Sequence, residues 1–200
     1  MAELSYNRIA DVGDLSKYRN LEKLVLDYNR VRRVGSGLAA CRSLRMLSLS
    51  HNLLEGADAL SALSQAPAGR ESGLLLTQLD LSNNRLRSAA GLERQTRLQW
   101  LNLSGNRLRC LNGFENLDAL NLLRLDQNDI IDIQELECVL ITLVTNAQSL
   151  CLEILTAVSL SIRRWLAALN LLHSLSLRGN PVNETPEYSI WAYFIINKLN

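Results

Sequence analysis

The sequence predicts an α/β solenoid, in which short parallel strands stack on one side and turns, 3₁₀ segments or helices form the other. One unit is stated twice, over 98–111 and 120–133, with a separation of 22 residues. Each copy opens with alternating leucines, which place apolar side chains on one face of a strand. A single unit cannot bury these leucines alone, so the pattern requires a stacked neighbour on each side. Leucine builds this core rather than rings, because 48% of the chain is hydrophobic and 5% is aromatic.

The same template, Leu-x-x-Leu-x-Leu-x-x-Asn-x-Leu, can be placed seven times along the chain, less completely in the first unit. Its asparagine occupies a fixed interior position, and a buried polar side chain is tolerated when it is hydrogen-bonded. The sequence therefore predicts a structural ladder formed by Asn7, Asn29, Asn52, Asn84, Asn106, Asn128 and Asn180.

With these motifs, the chain resembles the cytosolic leucine-rich repeats of the 22-residue subclass, the type found in a regulatory subunit of protein phosphatase 1. The resemblance covers nearly the whole chain. It implies a curved parallel sheet on the concave side, a 3₁₀ or helical convex side, and ladder asparagines that bond neighbouring backbone. Relatives of this subclass serve as phosphatase regulators, ciliary and dynein-associated subunits, and a spliceosomal scaffold.

The intervals between ladder asparagines locate two additions. They are 22, 23, 32, 22, 22 and 52 residues. The shorter addition, over 64–73, has the small, polar, Pro- and Gly-bearing composition of a surface loop. Removing 138–167 would restore the repeat register. We therefore expect one leucine-rich-repeat domain over 1–200, with repeats one to six at 1–137, an insertion at 138–167, the last repeat at 168–184 and a cap-like helix at 185–200.

The predicted insertion is apolar and almost uncharged between residues 139 and 162, which approaches the length of a membrane span. Polar residues near its middle, including Asn146, Gln148 and Glu153, favour an amphipathic helix laid on the solenoid instead. A retained intron or an alternative exon would produce the same in-frame interruption.

No residue pattern points to catalysis, and we expect neither an enzyme nor a cofactor. The chain has two histidines, His51 and His173, and lacks nucleophile-elbow and phosphate-loop motifs. Its four cysteines have no metal-ligand spacing and are predicted to be free thiols. The first residues contain no signal sequence, so we expect a cytoplasmic location, with cytoskeletal, ciliary or nuclear sites as alternatives.

The strand pattern also predicts which side chains line the concave face. They are the residue before the second strand leucine in successive repeats and its neighbours. The expected protein-binding residues are Lys23, Met46, Gln78, Trp100, Leu122 and Arg124. We interpret the chain as a non-catalytic adaptor that binds a partner protein here; the sequence leaves the partner's identity and the oligomeric state open.

Arginines recur just after the ladder asparagine and predict a basic edge. Its members are Arg30, Arg32, Arg85, Arg87, Arg107 and Arg109. Such an edge suits nucleic acid or acidic protein tails, as in a ribonucleoprotein subunit. The formal net charge of +1 excludes an argument from bulk basicity, and a simply solvated, often basic turn is the favoured explanation of the arginines.

Overall fold

Seven very short strands lie in chain order in one parallel sheet. The computed structural model describes residues 1–56, 58–64, 76–109, 114, 117, 119–130, 174–176 and 178–181. The strands are β1 (Ala2–Glu3), β2 (Lys23–Val25), β3 (Met46–Ser48), β4 (Gln78–Asp80), β5 (Trp100–Asn102), β6 (Leu122–Arg124) and β7 (Ser174–Ser176). Each strand pairs with the next in the chain, so every turn of the solenoid adds one strand.

The connections between strands contain a 3₁₀ helix, Ser36–Ala40, and one turn of α-helix, α1 (Ser61–Ser64). The predicted loop at 64–73 begins at the end of α1, and its remaining residues lie outside the described residues. Buried Gln95 connects the two sides of this gap. Its Nε2 donates to the Leu63 carbonyl at 2.8 Å, and its Oε1 accepts from the Leu76 amide at 3.4 Å.

The core consists of leucines that stack from turn to turn. The strand-centre leucines from β2 to β6 are buried, as are the leucines two positions later. A second set of buried apolar residues follows the ladder asparagines by two positions. Its members are Val31, Leu54, Leu86, Leu108 and Ile130. Leu4, which follows β1 and corresponds to Leu26 in the next turn, is 41% exposed. Within the described residues, β1 has a neighbouring strand on one side only.

The asparagines connect adjacent turns through their side chains. Asn106 Nδ2 donates to the carbonyls of Leu81 and Leu103, both at 2.9 Å, and Asn106 Oδ1 accepts from the Leu86 amide at 3.0 Å. The same three bonds recur at Asn29, Asn52, Asn84 and Asn128. Asn180 bonds the Leu125 carbonyl and the Ile130 amide. Asn7 is exposed and bonds the carbonyls of its own turn.

The residue before each ladder asparagine has a left-handed backbone. Within the described residues its φ lies between +53° and +68°, at Tyr6, Tyr28, His51, Asn83, Gly105, Gln127 and Gly179. At Gly105 a Cβ would lie 2.5 Å from Asn83 Oδ1, so a side chain there would require the exposed Asn83 side chain to shift. The turn therefore has the same backbone conformation at each of these positions. Five of them are not glycine, and a positive φ is uncommon for residues other than glycine.

Strand β7 joins β6 directly, although about fifty residues separate them. Leu122 is paired with Ser174 and Arg124 with Ser176, and the Leu125 amide donates to the Ser176 carbonyl at 2.8 Å. The predicted insertion at 138–167 and the cap-like helix at 185–200 lie outside the described residues.

Candidate functional site

The face of the sheet that the leucine-rich-repeat resemblance predicts to be concave, called the concave face below, carries three columns of residues that run across the strands. The first column contains Lys23, Met46, Gln78, Trp100, Leu122 and Ser174, which are directly paired from strand to strand. The second contains Val25, Ser48, Asp80, Asn102, Arg124 and Ser176, in the same register. The third lies two residues later and contains Asp27, Ser50, Ser82, Ser104, Asp126 and Arg178.

Trp100 lies in the middle of the first column, between Gln78 and Leu122. The side chains of Met46, Trp100 and Leu122 are half-buried, whereas Gln78 and Arg124 are exposed. Lys23, at the β2 end of the column, is also half-buried. The predicted protein-binding residues thus share one face, and its apolar members lie within four consecutive strands.

The second and third columns are more enclosed than the alternation of a strand predicts. Val25, Ser48 and Asn102 in the second column are 7%, 5% and 9% exposed, and Ser82 in the third column is 6% exposed. Hydrogen bonds connect these columns across the sheet. Their hydrogen-bonded polar residues, which include Asp27, Ser48 and Asp80, form a polar floor beside the first column.

The carboxylates of the concave face hold this polar floor together. Asp27 Oδ1 accepts from Ser48 Oγ at 2.6 Å and from the Ser50 amide at 2.9 Å. Asp126 Oδ1 likewise accepts from Ser176 Oγ and from the Arg178 amide.

Between them, Asp80 Oδ1 accepts from the amide and hydroxyl of Ser82, and the Ser82 hydroxyl oxygen accepts from Ser50 Oγ at 3.0 Å. The network was not predicted, although the alternation of Asp, Ser and Asn in these columns is visible in the sequence. Its bonds depend on side-chain torsions that the repeat pattern does not specify.

The predicted basic edge is aligned by backbone bonds between successive turns. The Arg107 amide donates to the Leu86 carbonyl at 2.9 Å, and the amides of Arg30 and Arg85 make the same bond to the turn before. All six predicted arginines are exposed. The edge is interrupted by Leu53 and Asp129 at the equivalent positions, and Arg85 forms an ion pair of 3.8 Å with Glu55. The edge therefore carries mixed charge.

An aromatic stack that we had not predicted lies along the rim of the concave face. The rings of Tyr6 and Tyr28 are 4.4 Å apart, and those of Tyr28 and His51 are 4.1 Å apart, with interplanar angles of 7° and 9°. Asn83 Nδ2 extends the row and lies 3.1 Å from His51 Nε2. Partial desolvation, with the neighbouring Tyr6 and Asp27, raises the pKa of Tyr28. The signal was present in the sequence, since these residues all precede a ladder asparagine.

Cys41 is a free, buried cysteine. Burial raises the pKa of its thiol, and the nearby Asp14 acts in the same direction. A raised thiol pKa disfavours the reactive thiolate, so Cys41 has the properties of a core residue. The other cysteines, Cys110, Cys138 and Cys151, lie outside the described residues.

Neither a membrane-spanning helix nor a metal site is found in the described part of the chain. No helix there has the length and apolar character needed to cross a membrane. No group of three or more His, Cys, Asp and Glu side chains there is placed to hold a metal ion.

Comparisons with known proteins agree with this architecture. The profile of the Leucine Rich Repeat family matches residues 97–117. A search of curated proteins gave no match. The structure is similar to that of an internalin from Listeria monocytogenes, with a TM-score of 0.54 and 20% sequence identity. The similarity covers 89% of this chain and 54% of the internalin, so the chain spans about half of that protein's length. The chain is therefore a protein with a leucine-rich-repeat fold.

Proposed function

We propose that the chain is a non-catalytic interaction scaffold that binds a partner protein on its concave face. Solenoids of this kind generally use their extended concave surface for binding. The single observation that carries the proposal is the first column, where Met46, Trp100 and Leu122 present partly exposed apolar side chains next to exposed Gln78 and Arg124. Aromatic, Met and Arg side chains are enriched at protein interfaces.

The proposal extends to the class of repeat. We infer a member of the 22-residue cytosolic subclass, with seven repeats and an insertion at 138–167. The spacing of the ladder supports this inference, as does the direct pairing of β6 with β7. With this class of repeat we propose a cytoplasmic location. Cytoskeletal, ciliary and nuclear locations are the alternatives.

The experiment that tests the scaffold function replaces Trp100 with alanine. Truncation of a central interface aromatic costs about 2 kcal/mol or more of binding free energy. We expect Trp100→Ala to weaken capture of partner proteins from cell extract, quantified by mass spectrometry, and to leave the melting temperature nearly unchanged.

The matched control is Tyr18→Ala, which removes an aromatic side chain that is 59% exposed and outside the three columns. This variant is expected to capture partners as the parent does. A lowered melting temperature with intact capture in Trp100→Ala would instead make Trp100 a structural residue.

A second candidate function is binding of nucleic acid or of acidic protein tails along the arginine edge. The observation that favours it is the alignment of exposed Arg30, Arg85 and Arg107 in equivalent turns. A complex held by this edge would weaken steeply as salt rises, because each phosphate contact releases counterions. Partner binding that is insensitive to salt between 50 and about 200 mM would exclude this function.

A further inference from the structure

The concave face combines an apolar column with regularly spaced negative charge. We propose that its partner is an amphipathic helix that carries Lys or Arg at seven-residue intervals along one side of its apolar surface. The inference rests on the proposed function, because it assigns a chemistry to the partner of the same face.

The apolar half of this recognition is the first column. Met46, Trp100 and Leu122 lie on β3, β5 and β6, so they span three strand spacings, about 14 Å. This is about two and a half turns of a helix that lies across the strands. The apolar side of the helix would cover these three residues.

The negative charge lies on every second strand. Asp27 follows β2, Asp80 is in β4 and Asp126 follows β6. Each carboxylate uses its Oδ1 atom for bonds to serine hydroxyls or backbone amides, so the three charges have fixed positions. All three side chains are half-buried, and within the described residues none forms an ion pair.

The spacing of these charges matches a helix. Two strand spacings are about 10 Å. Seven residues of α-helix rise about 10.5 Å. Asp27 and Asp126 lie in the third column, four residues or about 13 Å from the first column, which is close to the diameter of a helix with its side chains. Asp80 lies in the second column, about 7 Å from the first, and its Oδ1 accepts from Ser82 in the third column. A helix with its apolar side on Trp100 can therefore direct basic side chains at positions i, i+7 and i+14 toward the three carboxylates.

Cations on the same face modify this pattern. Lys23 begins β2 and lies in the first column, four residues or about 13 Å from Asp27, which exceeds the screening length of about 8 Å at physiological salt. Arg124 is two residues from Asp126, and Arg178 donates its amide to Asp126 Oδ1 at 2.8 Å. Asp27 and Asp80 are thus expected to contribute more to binding than Asp126.

The test uses the full chain and a display library of 21-residue helices with randomised surface positions. Selection against the parent chain is expected to enrich Lys and Arg at seven-residue intervals beside an apolar side. For a synthetic peptide of that sequence, Asp27→Asn and Asp80→Asn are each expected to lower affinity about threefold, and the variant with all three substitutions about 20-fold, in line with exposed ion pairs. Asparagine retains the Oδ1 acceptor, so the internal bonds can persist.

The control variant is Asp11→Asn. Asp11 is exposed and also accepts a backbone bond, from the Gly13 amide at 3.1 Å, but it lines a groove with Asp58 and Ser61. Its substitution is expected to leave peptide affinity unchanged. On the peptide side, Lys→Glu at the three positions is expected to abolish binding to the parent chain, which tests the charge pattern without altering the protein.

Three results would overturn the inference. They are the absence of any selected helix, selected helices with neutral or acidic residues at these positions, and equal affinity for the parent and the triple variant. If these occur while Trp100→Ala still weakens capture of partners, the helix chemistry is wrong and the scaffold function stands. If selected helices bind equally well to the parent and to Trp100→Ala, the proposed concave site itself is wrong.

Discussion

At the scale of single residues, the ladder asparagines determine how one turn joins the next. Asn106 is 7% exposed and satisfies two carbonyls and one amide that have no strand partner. Leucines supply the apolar burial on either side of it, but they cannot satisfy these polar groups. The asparagine therefore fixes the geometry of the turn through hydrogen bonds, whereas the leucines stabilise the core by burying apolar surface.

Replacement of Asn106 by leucine tests this role. Asn106→Leu is expected to lower the free energy of unfolding by about 1 to 3 kcal/mol, because the buried Leu86 amide loses its acceptor and the Leu81 and Leu103 carbonyls each lose one of two asparagine donors. Chemical denaturation followed by circular dichroism measures the change. Asn121→Leu makes the same substitution at an exposed position before β6 and is expected to have little effect. Equal stability of Asn106→Leu and the parent would contradict the ladder.

Spacing alone was sufficient to predict the positions of two sets of residues, whose roles stay predictions. The asparagines and the first concave column repeat at fixed offsets, and the structure places them in register. The aromatic stack of Tyr6, Tyr28 and His51 was missed, because stacking depends on a left-handed backbone that turns these rings parallel to one another. Propensity does not predict that conformation for tyrosine.

At the scale of elements, strands of two or three residues are sufficient because each is one layer of a continuous ladder. The convex connections vary more, with a 3₁₀ helix at Ser36–Ala40 and a single helical turn at Ser61–Ser64. The repeat pattern constrains the strand and the asparagine turn closely. It leaves the convex segment free, so its secondary structure could be predicted only as 3₁₀ or helical.

The sequence predicts that the segment at 138–167 is an insertion that interrupts one repeat. A chain that lacks it is expected to unfold cooperatively, with equal or greater stability and less self-association, since β7 pairs with β6 in repeat register. Thermal unfolding and light scattering measure both properties. Removal of one whole repeat, residues 98–119, is the control and is expected to lower stability. Loss of cooperative unfolding in the chain without 138–167 would place that segment in the core.

At the scale of the whole molecule, the stacked turns create two long surfaces that differ in chemistry. The concave face has partly exposed apolar side chains above a polar floor, whereas the turn edge carries arginines together with Glu55 and Asp129. The leucine pattern was sufficient to predict which residues lie on the core face of the sheet and which lie on the opposite face. The distribution of exposure within the concave face was not, because it depends on how side chains of adjacent strands cover one another.

Site-specific photo-crosslinking distinguishes these surfaces most directly. A benzoylphenylalanine is placed at Gln78 on the concave face, at Arg107 on the edge, or at Arg94, an exposed residue outside both surfaces. The proposed function predicts that the partner protein is crosslinked from Gln78 and not from Arg107 or Arg94. Crosslinking from Arg107 with none from Gln78 would contradict binding on the concave face.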